Sequence, residues 1–155
     1  MGHHSIRLCL AIGAVAALLA GCSGSSKPTN SKVASVCPRA ERTVKTLKTE
    51  LVSFQKDASS ASFTSLSADA QAVADSIDQL ADDAGQLGYP GLASKLKTFA
   101  SDLAHLGRDA HKLDVKALSN DAQTLQTDGN HLSSAEGPSS HVCKAFKNLG
   151  GIGSS

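Results

Sequence analysis

Aromatic side chains are scarce in this chain of 155 residues, which has no tryptophan, one tyrosine and four phenylalanines. Large rings bury more apolar surface than other side chains, so a domain with few of them has a thin hydrophobic core. The alternation of apolar and polar residues that is typical of half-buried strands is also missing, which excludes a fold built mainly on β-sheet. We therefore expect a helical domain with a slim core that is rich in alanine.

An excess of positive charge is missing as well. The 15 lysines and arginines balance the 14 aspartates and glutamates to a formal net charge of +1 at pH 7. Proteins that bind nucleic acid through its phosphates need a basic excess or a clustered basic face. The charge balance therefore excludes nucleic acid from the expected partners.

The sequence motifs of catalysis and of common cofactors are absent too. The chain has no Gly-x-Ser-x-Gly elbow, no phosphate-binding glycine loop, no Cys-x-x-Cys-His haem motif and no Glu-x-x-His pair of a di-iron bundle. The candidate for a metal site is a row formed by Asp102, His105 and Asp109, which share a helical face and are residue types that bind zinc or copper. A solvated helix face explains the same spacing, and we expect neither enzymatic activity nor a bound cofactor.

An apolar stretch at residues 8–18 precedes the string Leu19-Ala20-Gly21-Cys22. The stretch is shorter than the roughly 20 apolar residues of a permanent membrane span and has the layout of a secretory signal. The string resembles the lipobox of the bacterial lipoprotein signal class, and the resemblance covers residues 1–22. The alternative is an ordinary secretory signal whose cleavage leaves Cys22 as a plain thiol.

The resemblance implies that residues 1–21 are a signal peptide and that the sulfur of Cys22 carries a diacylglyceryl group with palmitate-like acyl chains. Two acyl chains on one residue hold a protein stably on a membrane. Residues 22–35 are polar and read as a flexible tether that follows the lipid. The resemblance therefore predicts a protein anchored by lipid on the extracytoplasmic face of the cell membrane.

Two cysteines, Cys37 and Cys143, remain once Cys9 leaves with the leader and Cys22 carries lipid. An oxidising compartment outside the cytoplasm favours a disulfide between them, and free buried thiols are the alternative. In the chain-entropy model, closing a loop of about 100 residues stabilises a domain by roughly 4 to 5 kcal/mol. We expect this bond to offset the thin core. A redox role is excluded, because the two cysteines form no Cys-x-x-Cys motif.

Four stretches beyond residue 35 repeat apolar residues every three or four positions, as one face of an amphipathic helix does. The expected buried faces are Val36, Ala40, Val44, Leu47, Leu51 and Phe54; Phe63, Leu66, Ala70, Val73, Ile77, Leu80, Ala84 and Leu87; Leu92, Leu96, Phe99, Leu103, Leu106, Ala110 and Leu113; and Val115, Leu118, Ala122, Leu125, Gly129 and Leu132. Turn and capping residues separate them at 59–62, at 88–91 and at Asp114, the expected N-cap of the fourth helix. Pro38 fits the first helical turn, and Gly107 favours an early end of the third helix.

Helices of this length joined by short loops predict an all-α fold, an antiparallel up-down four-helix bundle over residues 36–150. We expect a short C-terminal helix over residues 142–149 and a disordered tail at 151–155. An even number of helices returns the chain to the end where it began. Cys37 and Cys143 are therefore expected to meet at the membrane-facing end of the bundle.

The function expected from these features is a non-catalytic interaction or structural role at the cell envelope, with the membrane and an envelope protein as partners. A small-ligand or metal carrier or sensor is an alternative, since ligand sites can open between bundle helices. A decoy or immunity factor at the cell surface is another alternative. Asp75, Asp78 and Asp82 form an acidic row, which is a solvated face or a partner for the basic first helix.

Overall fold

A computed structural model describes residues 29–60, 62–133, 142–143 and 145 of this chain. Within these ranges the protein has four helices and no strand, which confirms the all-α prediction. The helices are α1 (Asn30–Ser59), α2 (Phe63–Gln86), α3 (Pro90–His111) and α4 (Val115–Ser133). The predicted signal peptide at 1–21, lipidated Cys22 and tail at 151–155 lie outside the described residues, as does most of the expected helix at 142–149.

Helix α1 begins at Asn30, earlier than the expected start of ordered structure at Val36. Of residues 30–35 only Val33 packs against the core, and the other side chains in this turn are exposed. A helix that buries so little has no apolar periodicity, so the sequence pattern does not reveal it. The early start leaves Pro38 inside the helix, and the expected place of this residue in the first turn was wrong.

The predicted apolar faces form one core that runs through all four helices. Phe63 lies at its edge and is half-buried. Leu113 and Val115 differ from the expectation, because their side chains are 62% and 53% exposed. Leu113 lies beyond the end of α3 in the turn to α4, with a left-handed φ of 58°. Leu113 lies outside any helix, and Val115 is only the first residue of α4. The prediction from helical periodicity that both side chains are buried was therefore wrong.

The turns agree with the sequence signals in most details. Gly88, with a φ of 90°, follows the end of α2, and Pro90 is the first residue of α3. The backbone N–H of Ala117 donates to Oδ1 of Asp114 at 3.0 Å, so Asp114 caps α4 as predicted. The expected early end of α3 at Gly107 was wrong, because the helix continues through this buried residue to His111.

Each helix packs against its neighbours in sequence, and the most extensive contact is between α2 and α3. A disulfide joins Cys37 of α1 to Cys143, beyond α4, with a Cα–Cα distance of 5.5 Å. This is the pair of cysteines that the sequence predicts to be joined. No helix in the described part of the chain is both long and apolar enough to cross a bilayer.

Candidate functional site

A polar groove runs between α1 and α2 and has a volume of about 710 Å³. Among the described residues the buried polar side chains are Thr43, Ser76 and Asp83, and all three line this groove. Polar groups are costly to bury unless they are hydrogen-bonded, and the other buried side chains of the described residues are apolar. Their concentration in one groove makes it the candidate functional site.

One end of the groove is closed by an ion pair between Arg39 of α1 and Asp83 of α2. Nε of Arg39 donates to Oδ1 of Asp83 at 2.7 Å, and Nη2 donates to the same oxygen and to Oε1 of Gln86, the latter at 3.1 Å. The Asp83 side chain is 1% exposed and that of Arg39 is 44% exposed. A buried carboxylate needs a countercharge, and Arg39 supplies it to Asp83.

Two further contacts join the walls of the groove. Oγ1 of Thr43 lies 3.2 Å from Oε1 of Gln79, and Oγ of Ser76 donates to Oε2 of Glu50 at 2.6 Å. These hydrogen bonds satisfy the two buried hydroxyls and orient the carboxylate of Glu50. Polar contacts therefore fix the walls of the groove along its length.

The remaining charged residues of the groove are Arg42, Glu50, Asp75 and Asp82. Arg42 lines it and makes no hydrogen bond or ion pair with any other described residue. Glu50 and Asp75 also line it, and neither carboxylate pairs with a lysine, arginine or histidine of the described chain. Arg42 and Glu50 lie eight positions apart on α1, about 12 Å along a helix. Two arginines and four carboxylates therefore line the groove.

A second group of polar contacts lies between α3 and α4, where aspartates face aspartates. Burial, together with a hydrogen bond to Asp128, raises the pKa of Asp102 to about 6. Burial and the nearby Asp109 also raise the pKa of Asp121. A carboxyl group that faces a carboxylate keeps its proton to higher pH, because like charges disfavour ionisation.

A third carboxyl pair joins α1 to α2 near the turn between them. The pKa of Asp69 is raised by burial and then by the charge and hydrogen bond of Asp57. Sequence patterns did not identify any of these pairs, because the two partners belong to different helices.

The metal candidates Asp102, His105 and Asp109 are not brought together as a site. Asp102 interacts with Asp128 and Asp109 with Asp121, whereas His105 is exposed. Among the residues that the structure describes, no group of three or more histidine, cysteine, aspartate or glutamate side chains is arranged to hold a metal ion.

The acidic row of Asp75, Asp78 and Asp82 on α2 makes other contacts than the adjacent Asp83. Asp82 forms an ion pair at 2.9 Å with Lys97 of α3, and Asp75 accepts a hydrogen bond from Gln71 of its own helix. The contact with the basic helix α1 is made by Asp83, which the row did not include. Its position between the buried Leu80 and Leu87 is the signal that could have identified it, since a charged residue on a buried face requires a partner.

The chain matches no protein-family model. Comparison with curated proteins and with solved structures also found no match. The groove and the disulfide are therefore the features of the described residues that bear on its function.

Proposed function

We propose that this protein is a lipid-anchored lipoprotein on the extracytoplasmic face of the cell membrane, with a non-catalytic binding role at the envelope. The observation that carries the proposal is the Cys37–Cys143 disulfide, because such bonds persist in oxidising compartments and are rare in the cytosol. The lipobox ending at Cys22 supplies the anchor, since two acyl chains hold a protein stably on a bilayer.

The proposed architecture is an antiparallel up-down bundle with its disulfide toward the membrane. Contacts between α1 and α2 support it, because Arg39 meets Asp83 whereas the later residue Glu50 meets the earlier Ser76. In such an arrangement the start of α1 and the disulfide share the membrane-facing end, with the turn at 59–62 at the opposite end. The short C-terminal helix at 142–149 belongs to the same proposal.

The buried polar groups of the groove already form hydrogen bonds between α1 and α2, which favours a binding function over catalysis. Ser76, Thr43 and Asp83 are each engaged in a contact between α1 and α2 that stabilises the helix pair. Groups committed in this way form a rigid wall, and rigid, pre-formed surfaces suit recognition.

A carrier or sensor of a small molecule is the second candidate, and one observation favours it. The groove volume of about 710 Å³ falls within the range of roughly 300 to 1,000 Å³ that is typical of small-molecule sites. Its charged and hydroxyl-bearing walls favour a polar ligand over an apolar one.

Cell fractionation of a bacterial host that expresses the full chain tests the lipid anchor. Wild-type protein should be recovered with the membranes and should incorporate labelled palmitate, whereas Cys22→Ser should appear in the soluble fraction without label. Cys9→Ser is the matched control, because it removes another leader cysteine and should leave both results unchanged. Membrane retention of unlabelled Cys22→Ser at the wild-type level would contradict the anchor.

A further inference from the structure

We propose that the outer side of α1 lies along the anionic headgroups of the bilayer that holds the lipid anchor. This side, the basic face of α1, consists of Lys45, Lys48, Val52 and Lys56, which recur every three or four positions and therefore share one side of the helix. The inference rests on the proposed anchor at Cys22 and adds how the domain is oriented on the membrane.

The charges of the basic face have no partner within the described chain. All four side chains are exposed, and none of them lines the groove between α1 and α2. The ion pairs of the described residues use Arg39, Lys97 and Lys112, whereas the three lysines of the basic face form none. Glu41 is the exposed acidic residue of α1, so positive charge prevails on this side. Such a face is complementary to a surface of anionic lipid phosphates.

Val52 is a second observation that points to a membrane surface. Its side chain is 65% exposed, more than any other large apolar side chain of the described residues. Leu113 and Val115 are exposed in or next to a turn, but Val52 lies inside a helix, between Lys48 and Lys56. Lysines combined with an apolar side chain are typical of helices that lie in the headgroup region of a bilayer.

The carboxylates of α2 decide which side of the helix pair faces the bilayer. Asp75, Asp78 and Asp82 are exposed on α2, and Asp75 and Asp82 line the groove. An anionic surface repels these groups and attracts the lysines of α1. We therefore expect the basic face to contact the bilayer and the groove to stay outside the contact.

The position of the anchor makes this contact possible. Cys22 precedes Asn30, the first residue of α1, by eight positions, which span at most about 26 to 29 Å. A tethered face meets the bilayer at a high effective concentration, so a weak attraction is enough to orient the domain. Each lysine near an anionic surface favours the contact by about fivefold.

The length of α1 determines the orientation. Lys56 lies 26 positions beyond Asn30, which is about 39 Å along the helix. Electrostatic attraction extends only about 10 Å at 0.1 M salt. Lys56 can therefore reach the headgroups only if α1 lies along the bilayer. The disulfide end of the domain stays beside the anchor in this orientation.

NMR of the lipidated protein, produced from the full chain and reconstituted in lipid nanodiscs, tests the proposal. Gadolinium-chelating lipid broadens amide signals near the headgroups, and lutetium-chelating lipid is the diamagnetic reference. Val52 lies 16 positions beyond Val36, so an upright helix would place its amide about 24 Å farther from the bilayer. In discs with phosphatidylglycerol, both amides should broaden to a similar extent, and about 1 M salt should restore the signal of Val52. A sharp Val52 signal in these discs, or equal broadening in neutral phosphatidylcholine discs, would overturn the proposal.

Matched variants identify the basic face as the cause of the orientation. Lys45→Gln combined with Lys48→Gln should shift the equilibrium toward the upright orientation by roughly twenty-fivefold, about fivefold for each lysine. The broadening of Val52 measures this shift. Lys112→Gln combined with Lys116→Gln removes the same charge at exposed positions beside the turn from α3 to α4 and should change the equilibrium by less than about twofold. Equal effects of the two double variants would overturn the assignment.

Labelled palmitate on the reconstituted protein reports the anchor separately from the orientation. If the label is present and Val52 stays sharp in anionic discs, the proposed location stands and the proposed orientation is wrong. If the wild type carries no label, the anchor and the orientation that depends on it are both wrong.

Discussion

Gly107 of α3 faces Ala70 of α2 so closely that a methyl group at Gly107 would require its neighbours to move by a few tenths of an ångström. A Cβ atom at Gly107 would lie 3.1 Å from Cβ of Ala70 and 3.1 Å from the carbonyl oxygen of Ser67. Small residues at this contact let the two helices approach, which agrees with the extensive contact between α2 and α3. The small residues Gly107 and Ala70 thus allow a close contact between α3 and α2.

Replacement of Gly107 by alanine should therefore destabilise the protein. Overpacking against the α2 backbone outweighs the gain in helix propensity, and we expect a net loss of about 1 to 2 kcal/mol in the free energy of unfolding. Urea unfolding followed by circular dichroism measures it. Gly91→Ala is the control, because no atom lies within 4 Å of the added carbon, and it should stabilise α3 by about 0.4 to 1 kcal/mol. A gain in both variants would contradict the close contact.

The ion pair of Arg39 and Asp83 should be required for stability, since Arg39→Met leaves a buried carboxylate without a countercharge. Breaking a fully buried pair costs about 3 to 5 kcal/mol. Arg39 is 44% exposed, so solvent screening lowers the expected loss to about 2 kcal/mol.

Chemical unfolding of two further variants checks this interpretation. Arg39→Met combined with Asp83→Leu should recover part of the loss, because the unpaired charge is removed as well. Arg42→Met, at the neighbouring arginine without a partner, should change the stability by less than about 0.5 kcal/mol. If Arg39→Met were as stable as Arg42→Met, the pair would have no structural role.

The carboxyl pair of Asp102 and Asp128 should make the stability of the protein depend on pH. The pKa of Asp102 is raised from 3.8 to about 6, so the folded protein holds a proton that the unfolded chain releases. This stabilisation is complete below pH 3.8 and is lost as the pH rises through about 6. The raised pKa values of Asp69 and Asp121 act in the same direction.

Thermal unfolding between about pH 4 and pH 8 measures this dependence. The melting temperature of the wild type should fall across the titration of Asp102, and Asp102→Asn, which mimics the protonated acid, should reduce the fall. Asp78→Asn on the exposed face of α2 should leave it unchanged. An identical pH profile for Asp102→Asn and the wild type would show that the pair does not contribute.

Removal of the disulfide should have the largest effect on stability. The two cysteines lie 106 positions apart, and the chain-entropy model gives about 4 to 5 kcal/mol for a loop of this size. Reduction should lower the melting temperature by on the order of 15 °C. The double variant Cys37→Ser, Cys143→Ser should unfold at the temperature of the reduced protein and should not respond to reductant. A reduced wild type as stable as the oxidised form would contradict this role.

The sequence predicted the helices well, because the apolar spacing directly reports which face of a helix is buried. The prediction failed where a helical segment is exposed and where an apolar residue lies outside a helix. The first turn of α1, beginning at Asn30, is helical but exposed, and Leu113 is apolar but lies in a turn with a left-handed backbone. Periodicity contains no information about either case.

The candidate site could not be predicted in the same way. Which residue of α2 lies opposite Arg39 depends on the relative rotation and offset of two helices, and a shift of one residue decides between Asp82 and Asp83. Asp82 in fact pairs with Lys97 of α3, on another side of the same helix. The carboxyl pairs of α3 and α4 were missed for this reason too. Contacts between helices depend on packing as a whole, which no local pattern encodes.

The Cys37–Cys143 bond also determines how a stretching force travels through the molecule. A pull on the N-terminal segment enters at Cys37, and a pull on the segment after Cys143 enters at the other sulfur atom. Since the two cysteines are covalently joined, tension between the termini passes through the sulfur atoms and bypasses α2, α3 and α4. Mechanical extension would therefore lengthen the outer segments alone, and the helices enclosed by the bond would carry no load.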